Sequence, residues 1–217
     1  MHWLKQVRKM IMPSRLRRQD VERRVAFHFG SDSDAFTCIM RACDDARDMH
    51  RGKKRKNGEP VIVHERAMLI IALDYCGERD ENVLVAIMLH DLPEDYHDEW
   101  PLARIEREYG RVVRDLVGAV TKPKREDFAS EDEYDRATFA KVDAGGERAW
   151  RIKFYDRLHN NLTPWGKKEK LVRKILQTIK FVLPEAARRN YLLFELMTTT
   201  LAQMSQLGLT HEVMQKN

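Results

Sequence analysis

The sequence predicts an all-α fold. Through most of the chain apolar residues recur at the three- and four-residue spacing of a helix face, and no segment alternates polar and apolar like a strand. A third observation is the block Val83, Leu84, Val85, Ala86, Ile87, Met88 and Leu89, which is apolar on every side and would be buried if helical.

The elements follow in order. Trp3, Leu4, Val7, Met10 and Ile11 recur at helical spacing with Lys5, Arg8 and Lys9 between them, which predicts a short basic amphipathic helix before Pro13. It is expected to dock on the domain or on a second copy in a homo-oligomer, ahead of a membrane surface. Gly30 to Asp34 reads as a linker, and Ser33 as the N-cap of a helix through Phe36, Ile39, Met40, Cys43 and Ala46. The chain therefore divides into a basic N-terminal arm, residues 1–33, and a domain with C-terminal helices, residues 34–217. A basic loop from Arg51 to Val61 leads to a helix carrying Met68, Leu69, Ile71, Ala72 and Tyr75, ended by Gly77. The next helix runs from about Asp80 to Asp91. Pro93 disfavours helical geometry at Leu92, which puts Glu94 and Asp95 on a turn. Helices are expected around Leu102, Ile105 and Tyr109 and along Val112 to Val120. A charged loop, Pro123 to Glu133, and a break at Gly145-Gly146 come next. Then follow a helix from Arg148 to Leu162 and two long helices, about Lys168 to Leu183 and Glu185 to Gln206.

Composition narrows the function. Charged residues make up 34% of the 217 and hydrophobic ones 43%, more charged than the ~25% of an average soluble domain. The longest apolar run falls far short of the ~20 residues a membrane span needs, and no N-terminal stretch has a signal peptide's apolar centre. A cytoplasmic protein is expected, with Cys38, Cys43 and Cys76 as reduced thiols. The net charge of +5 is local: residues 1–24 carry eight Lys/Arg against Asp20 and Glu22, while the rest sets 31 basic groups against 32 acidic ones. A nucleic-acid surface on the core domain is thereby disfavoured.

Chemistry concentrates at His90-Asp91-Leu92-Pro93-Glu94-Asp95, where one imidazole and three carboxylates follow the buried block. Burying such groups without partners is costly, so they pair with a metal or a cation or sit at the lip of a cleft. Two distant segments offer further metal-type ligands beside apolar runs: His64 after the Pro60 turn, and Asp156 within Ile152-Lys-Phe-Tyr-Asp-Arg-Leu-His-Asn160.

Further motifs stand in order along the chain: His50-Arg-Gly52, Arg55-Lys56-Asn-Gly58-Glu59-Pro60, Val120-Thr121-Lys122, and Asp156-Arg-Leu-His-Asn160 with Thr163. Taken with His64, His90-Asp91 and Glu94-Asp95, residues 36–165 resemble the HD-type hydrolase domain of the RelA/SpoT family, and the whole resembles its small stand-alone alarmone hydrolases. The resemblance implies a helical HD-domain bundle that removes the 3′-pyrophosphate of (p)ppGpp, giving GDP or GTP and pyrophosphate. It implies that His64, His90, Asp91 and Asp156 hold one divalent ion, manganese in that family, and that Glu94 and Asp95 orient or deprotonate the attacking water. Arg55 and Lys56 would flank the purine and reach its phosphates, with Asn160 and Thr163 on the nucleotide side. Two imidazoles and two carboxylates suit a catalytic ion with open positions better than a closed Cys-rich site does.

His50 and His159 are expected to serve the fold, and His2, His28, His97 and His211 to face solvent. The sequence departs from the family at Val61, usually aromatic, and at Glu65, usually proline. Two other readings stand beside hydrolysis of (p)ppGpp. One is the same fold acting on another nucleotide, such as an adenine alarmone or the 2′-phosphate of NADPH; the other is a non-catalytic nucleotide- or partner-binding module.

Overall fold

The computed structural model describes residues 16–55, 58–163 and 168–206. The expected basic helix near residues 3–11 lies outside them, as do His2, Lys56 and His211. Among the described residues the fold is all-α: no strand forms, and one β-bridge pairs Lys54 with Pro60 across the basic loop. None of these helices is long and apolar enough to cross a membrane.

Two helices, α1 (Arg18–Phe29) and α2 (Asp34–Met49), are separated by the turn at Gly30. Val21 and Val25 of α1 are buried in the same core as the rest of the chain. Ser33 caps α2 as expected, its hydroxyl accepting from the Phe36 N–H at 3.0 Å. Arg18 reaches from α1 to Asp44 of α2. His28 does not face solvent: its Nε2 lies 3.2 Å from Asp74, a carboxylate that also accepts from Arg24. His97 is exposed, as expected.

The helix α3 (Ile62–Ile70) runs on into a π-helical turn, Ile71–Tyr75, and stops at Gly77 with φ +64°. Next comes α4 (Glu81–Leu89), capped by Asp80, with every residue from Val83 to Leu89 buried. At roughly 1.5–3 kcal/mol per large apolar side chain, this helix is the axle of the domain, and α2, α3, α7 (Arg111–Val120) and α9 (Gly146–Leu162) pack around it. A one-turn helix, α5 (Leu92–Asp95), follows, then α6 (Leu102–Tyr109) against α7. Pro93 falls in the first turn of α5, where a missing N–H costs nothing.

Two further sequence expectations need correction. The charged stretch 123–133 is not loop throughout: α8 (Glu131–Ala144) begins inside it, with Ser130 and Glu133 forming a reciprocal capping box. The C-terminal break falls at Asn190 and not before Glu185. Helix α10 (Lys168–Gln177) passes through a π-helical turn, Thr178–Val182, into α11 (Leu183–Arg189), and α12 (Tyr191–Gln206) starts after Asn190, whose side chain accepts from the Leu193 N–H. Pro184 is tolerated because it sits in the first turn of α11.

Candidate metal centre and its cleft

Three helices converge on one point. His64 comes from the first turn of α3, His90 from the C-terminal end of α4, and Asp156 from the middle of α9. One ligand atom from each lies within 4.8 Å of the other two. His64 Nε2 is 3.3 Å from Asp156 Oδ1, and both imidazoles are almost completely covered, 4% and 6% exposed. Asp91 stands beside this group, its Oδ1 3.1 Å from His90 Nε2. Two imidazole nitrogens and carboxylate oxygen fit a divalent ion of borderline hardness. His90 Nδ1 donates to the Ile87 carbonyl at 2.8 Å, which leaves Nε2 as its ligand atom.

The local electrostatics agree. Burial alone would push Asp91 and Asp156 up, but the cationic neighbours outweigh it. His90, His64 and Lys122 hold Asp91 below the usual carboxylate range, and Lys153 and His64 hold Asp156 well below it. His90 is raised despite burial because Asp91, Asp156 and Glu65 surround it with negative charge.

This group forms the floor of a cleft of ≈ 570 Å³ that Arg55, Glu94, Asp95, Lys122 and Asn160 also line, a size that admits a nucleotide. Asn160 ties two functions together: its Nδ2 donates to Asp156 at 2.5 Å while its Oδ1 accepts from Arg55 at 2.8 Å. Glu94 is clamped, accepting from both the backbone N–H and the Nζ of Lys122 at 2.7 Å each. Asp95 is raised, by partial burial and then by the nearby Asp91 charge. Thr163 is not among the described residues lining the cleft; its hydroxyl is spent on the His159 carbonyl at the end of α9. His50 has a role in the fold, held between Tyr96 and the fully buried Glu65.

Sequence reasoning missed much of the wall. Lys153, one helical turn before Asp156, is buried with its Nζ 3.4 Å from that carboxylate. Arg157 of α9 and Lys170, Arg173 and Lys174 of α10 line the same cleft, with Tyr134. Burial pulls Lys174 down to about 8. The i, i+3 spacing of Lys153 and Asp156 was a readable signal, whereas the α10 cations look like any solvated helix face.

A model of the HD domain family matches residues 42–179, more than half of the chain. The chain belongs to the HD-domain family. Among curated HD-domain relatives, a GTP pyrophosphokinase of Streptomyces coelicolor is 37% identical over 153 residues, 69% of this chain and 18% of that protein. A guanosine-3′,5′-bis(diphosphate) 3′-pyrophosphohydrolase of Aquifex aeolicus is 32% identical over 152 residues, 69% of this chain and 21% of that protein. The chain thus spans about a fifth of the length of these relatives. A solved structure, described as a metazoan ortholog of SpoT that hydrolyzes ppGpp and plays a role in starvation responses, superposes with a TM-score of 0.65. It covers 79% of this chain and 96% of its own, and at 24% identity the likeness speaks for the fold.

Proposed function

We propose that this HD domain removes the 3′-pyrophosphate of ppGpp and pppGpp, with His64, His90, Asp91 and Asp156 holding one divalent ion, manganese. The observation that carries the reading is the meeting of His64, His90 and Asp156, drawn from three distant segments, in a cleft lined with lysines and arginines. The relatives named as 3′-pyrophosphohydrolases supply the substrate.

Hydrolysis breaks the bond between the 3′-oxygen and its phosphorus. Water gives its oxygen to that phosphorus, one proton passes to a base, and one returns to the 3′-oxygen, leaving GDP or GTP and pyrophosphate. A bound divalent ion supplies a more acidic water and offsets phosphate charge. Asp95 takes the proton, since its raised position keeps it basic enough to accept one. Glu94, fixed by Lys122, orients the water. Arg55, steered by Asn160, and the cations of α9 and α10 hold the phosphates. The unbridged cysteines fit a reducing, cytoplasmic setting.

The test is incubation of the purified chain with ppGpp and manganese, followed by measurement of pyrophosphate, with Asp156→Ala as control and adenine alarmones and NADPH alongside. Pyrophosphate from ppGpp that disappears in the variant supports the reading. No release with any divalent ion would sink it, and faster turnover of another nucleotide would move the substrate.

A further inference from the structure

We infer that His159 is a positioning residue: its Nδ1 accepts the Nδ1–H of His64 whenever His64 Nε2, on the Asp156 side, gives its lone pair to an ion. The inference rests on the reading of His64, His90 and Asp156 as ion ligands and adds a residue to it.

The two Nδ1 atoms are 2.7 Å apart and buried, with the ring centroids 4.7 Å apart and the planes inclined at 52°. Nitrogens this close share one proton, because two lone pairs or two N–H groups would repel each other. An imidazole must present a lone pair to bind a metal. His64 Nδ1 is turned toward His159, so the nitrogen left to act is Nε2, the atom 3.3 Å from Asp156. With a lone pair on Nε2, a neutral His64 carries its proton on Nδ1 and is the donor. His159 is then the acceptor and carries its own proton on Nε2.

The neighbouring ligand solves the same problem differently. His90 donates from Nδ1 to the Ile87 carbonyl, an acceptor that cannot be anything else. His64 has no such carbonyl on Nδ1 and relies on a side chain that could serve either way. His159 is fully buried and lies three residues after Asp156 on α9, so the helix that supplies a ligand also orients another. Sequence alone gave this residue a role in the fold, and the geometry gives that role a direction.

Nitrogen-15 NMR of imidazole-labelled protein saturated with a diamagnetic divalent ion, zinc, reads the tautomers directly: His64 is expected as the Nδ1–H form and His159 as the Nε2–H form. The reverse pattern overturns the inference. Calorimetric titration with manganese supplies the second measurement. His159→Leu, which offers no acceptor, is expected to bind the ion about 10–100-fold more weakly than wild type. His159→Asn, whose amide oxygen can stand near the lost Nδ1, is expected to recover most of that loss. Circular dichroism confirms that each variant is folded, and should His159→Leu fail that check, the wild-type tautomers decide. Wild-type affinity in a folded His159→Leu overturns the role of His159 alone. Absence of ion binding in the wild type overturns the metal centre itself.

Discussion

Gly145, at the junction of α8 and α9, couples packing to the site in a way that one substitution can expose. Its φ of −75° suits any residue, so conformation does not require glycine here. Space does: a Cβ at this position would lie 2.5 Å from the Ala119 Cβ and 2.7 Å from the Ala149 Cβ. Carbon atoms prefer about 3.5–4.0 Å, and both obstacles are methyl groups fixed to helix backbones, so no rotamer change relieves them. Gly145→Ala must therefore push α7 and α9 apart by about 1 Å. Overpacking of this kind costs roughly 1–3 kcal/mol, and reduced unfolded-state entropy returns about 0.4–1 kcal/mol. The net loss is about 1–2 kcal/mol, or roughly 2–8 °C in Tm for a chain of this size. Ala119 also lies just before Thr121 and Lys122, the residue that clamps Glu94, so the displacement reaches the site. Misplacements near 1 Å can cost about 100-fold in rate, and we expect kcat for pyrophosphate release to fall at least about 10-fold. Gly146→Ala is the matched control, since its φ of +71° makes an L-residue costly, about 1–2 kcal/mol, while nothing crowds its Cβ. Thermal denaturation and kcat, measured where both variants are folded, separate the two effects. A Gly145→Ala protein with wild-type Tm, or equal loss of kcat in both variants, would refute the reasoning.

Four further outcomes are expected. Lys122→Met should lower kcat about 10-fold with little change in KM and only about 0.5–1 kcal/mol lost in urea denaturation, because the pair is partly exposed; an unchanged kcat counts against Glu94 as the water's guide. Lys174, with a folded-state pKa near 8, below the ~10.4 of a free lysine, is cationic below that pH, so KM should rise between pH 7 and 9, whereas Lys174→Met should start higher and stay flat. The unfolded chain binds the extra proton between about pH 8 and 10, so Lys174 contributes stability that grows with pH across that window. Ser130→Ala removes the cap of α8 and should cost about 1 kcal/mol by chemical denaturation, with Ser31→Ala near zero. Chelation should lower Tm relative to protein held at 100 times its dissociation constant for manganese by about 2.7 kcal/mol, roughly 5–10 °C, and should do nothing to Asp156→Ala.

Much of this was legible in the chain because burial leaves a strong mark. Val83 to Leu89 admits no solvent on any face, and the helix it predicts is the one around which the others pack. Ser33 and Gly77 marked helix ends through side-chain capping and positive φ. His64, His90 and Asp156 stood out as ionisable groups set in apolar runs, and the fold does join them. What escaped has physical causes. The π-helical turns at Ile71 and Thr178 insert residues without any special composition. The start of α8 was hidden by its own acidic first turn, which reads as loop until Ser130 and Glu133 are taken as a pair. The cations of α10 acquire meaning only from the cleft they line. Pro93, which seemed to threaten Glu94 and Asp95, opens a new helical turn that carries both.

That junction also bears on the charge the site favours. Helix α4 ends at His90 with its carbonyls, the end that carries about half a negative charge. The following turn lacks one donor because Pro93 has no N–H. The carbonyl end of α4 offers acceptors where anion sites offer amides, which suits a cation at the floor of the cleft. On the reading proposed above, the direction in which one buried helix points favours the cation that His64, His90 and Asp156 would hold.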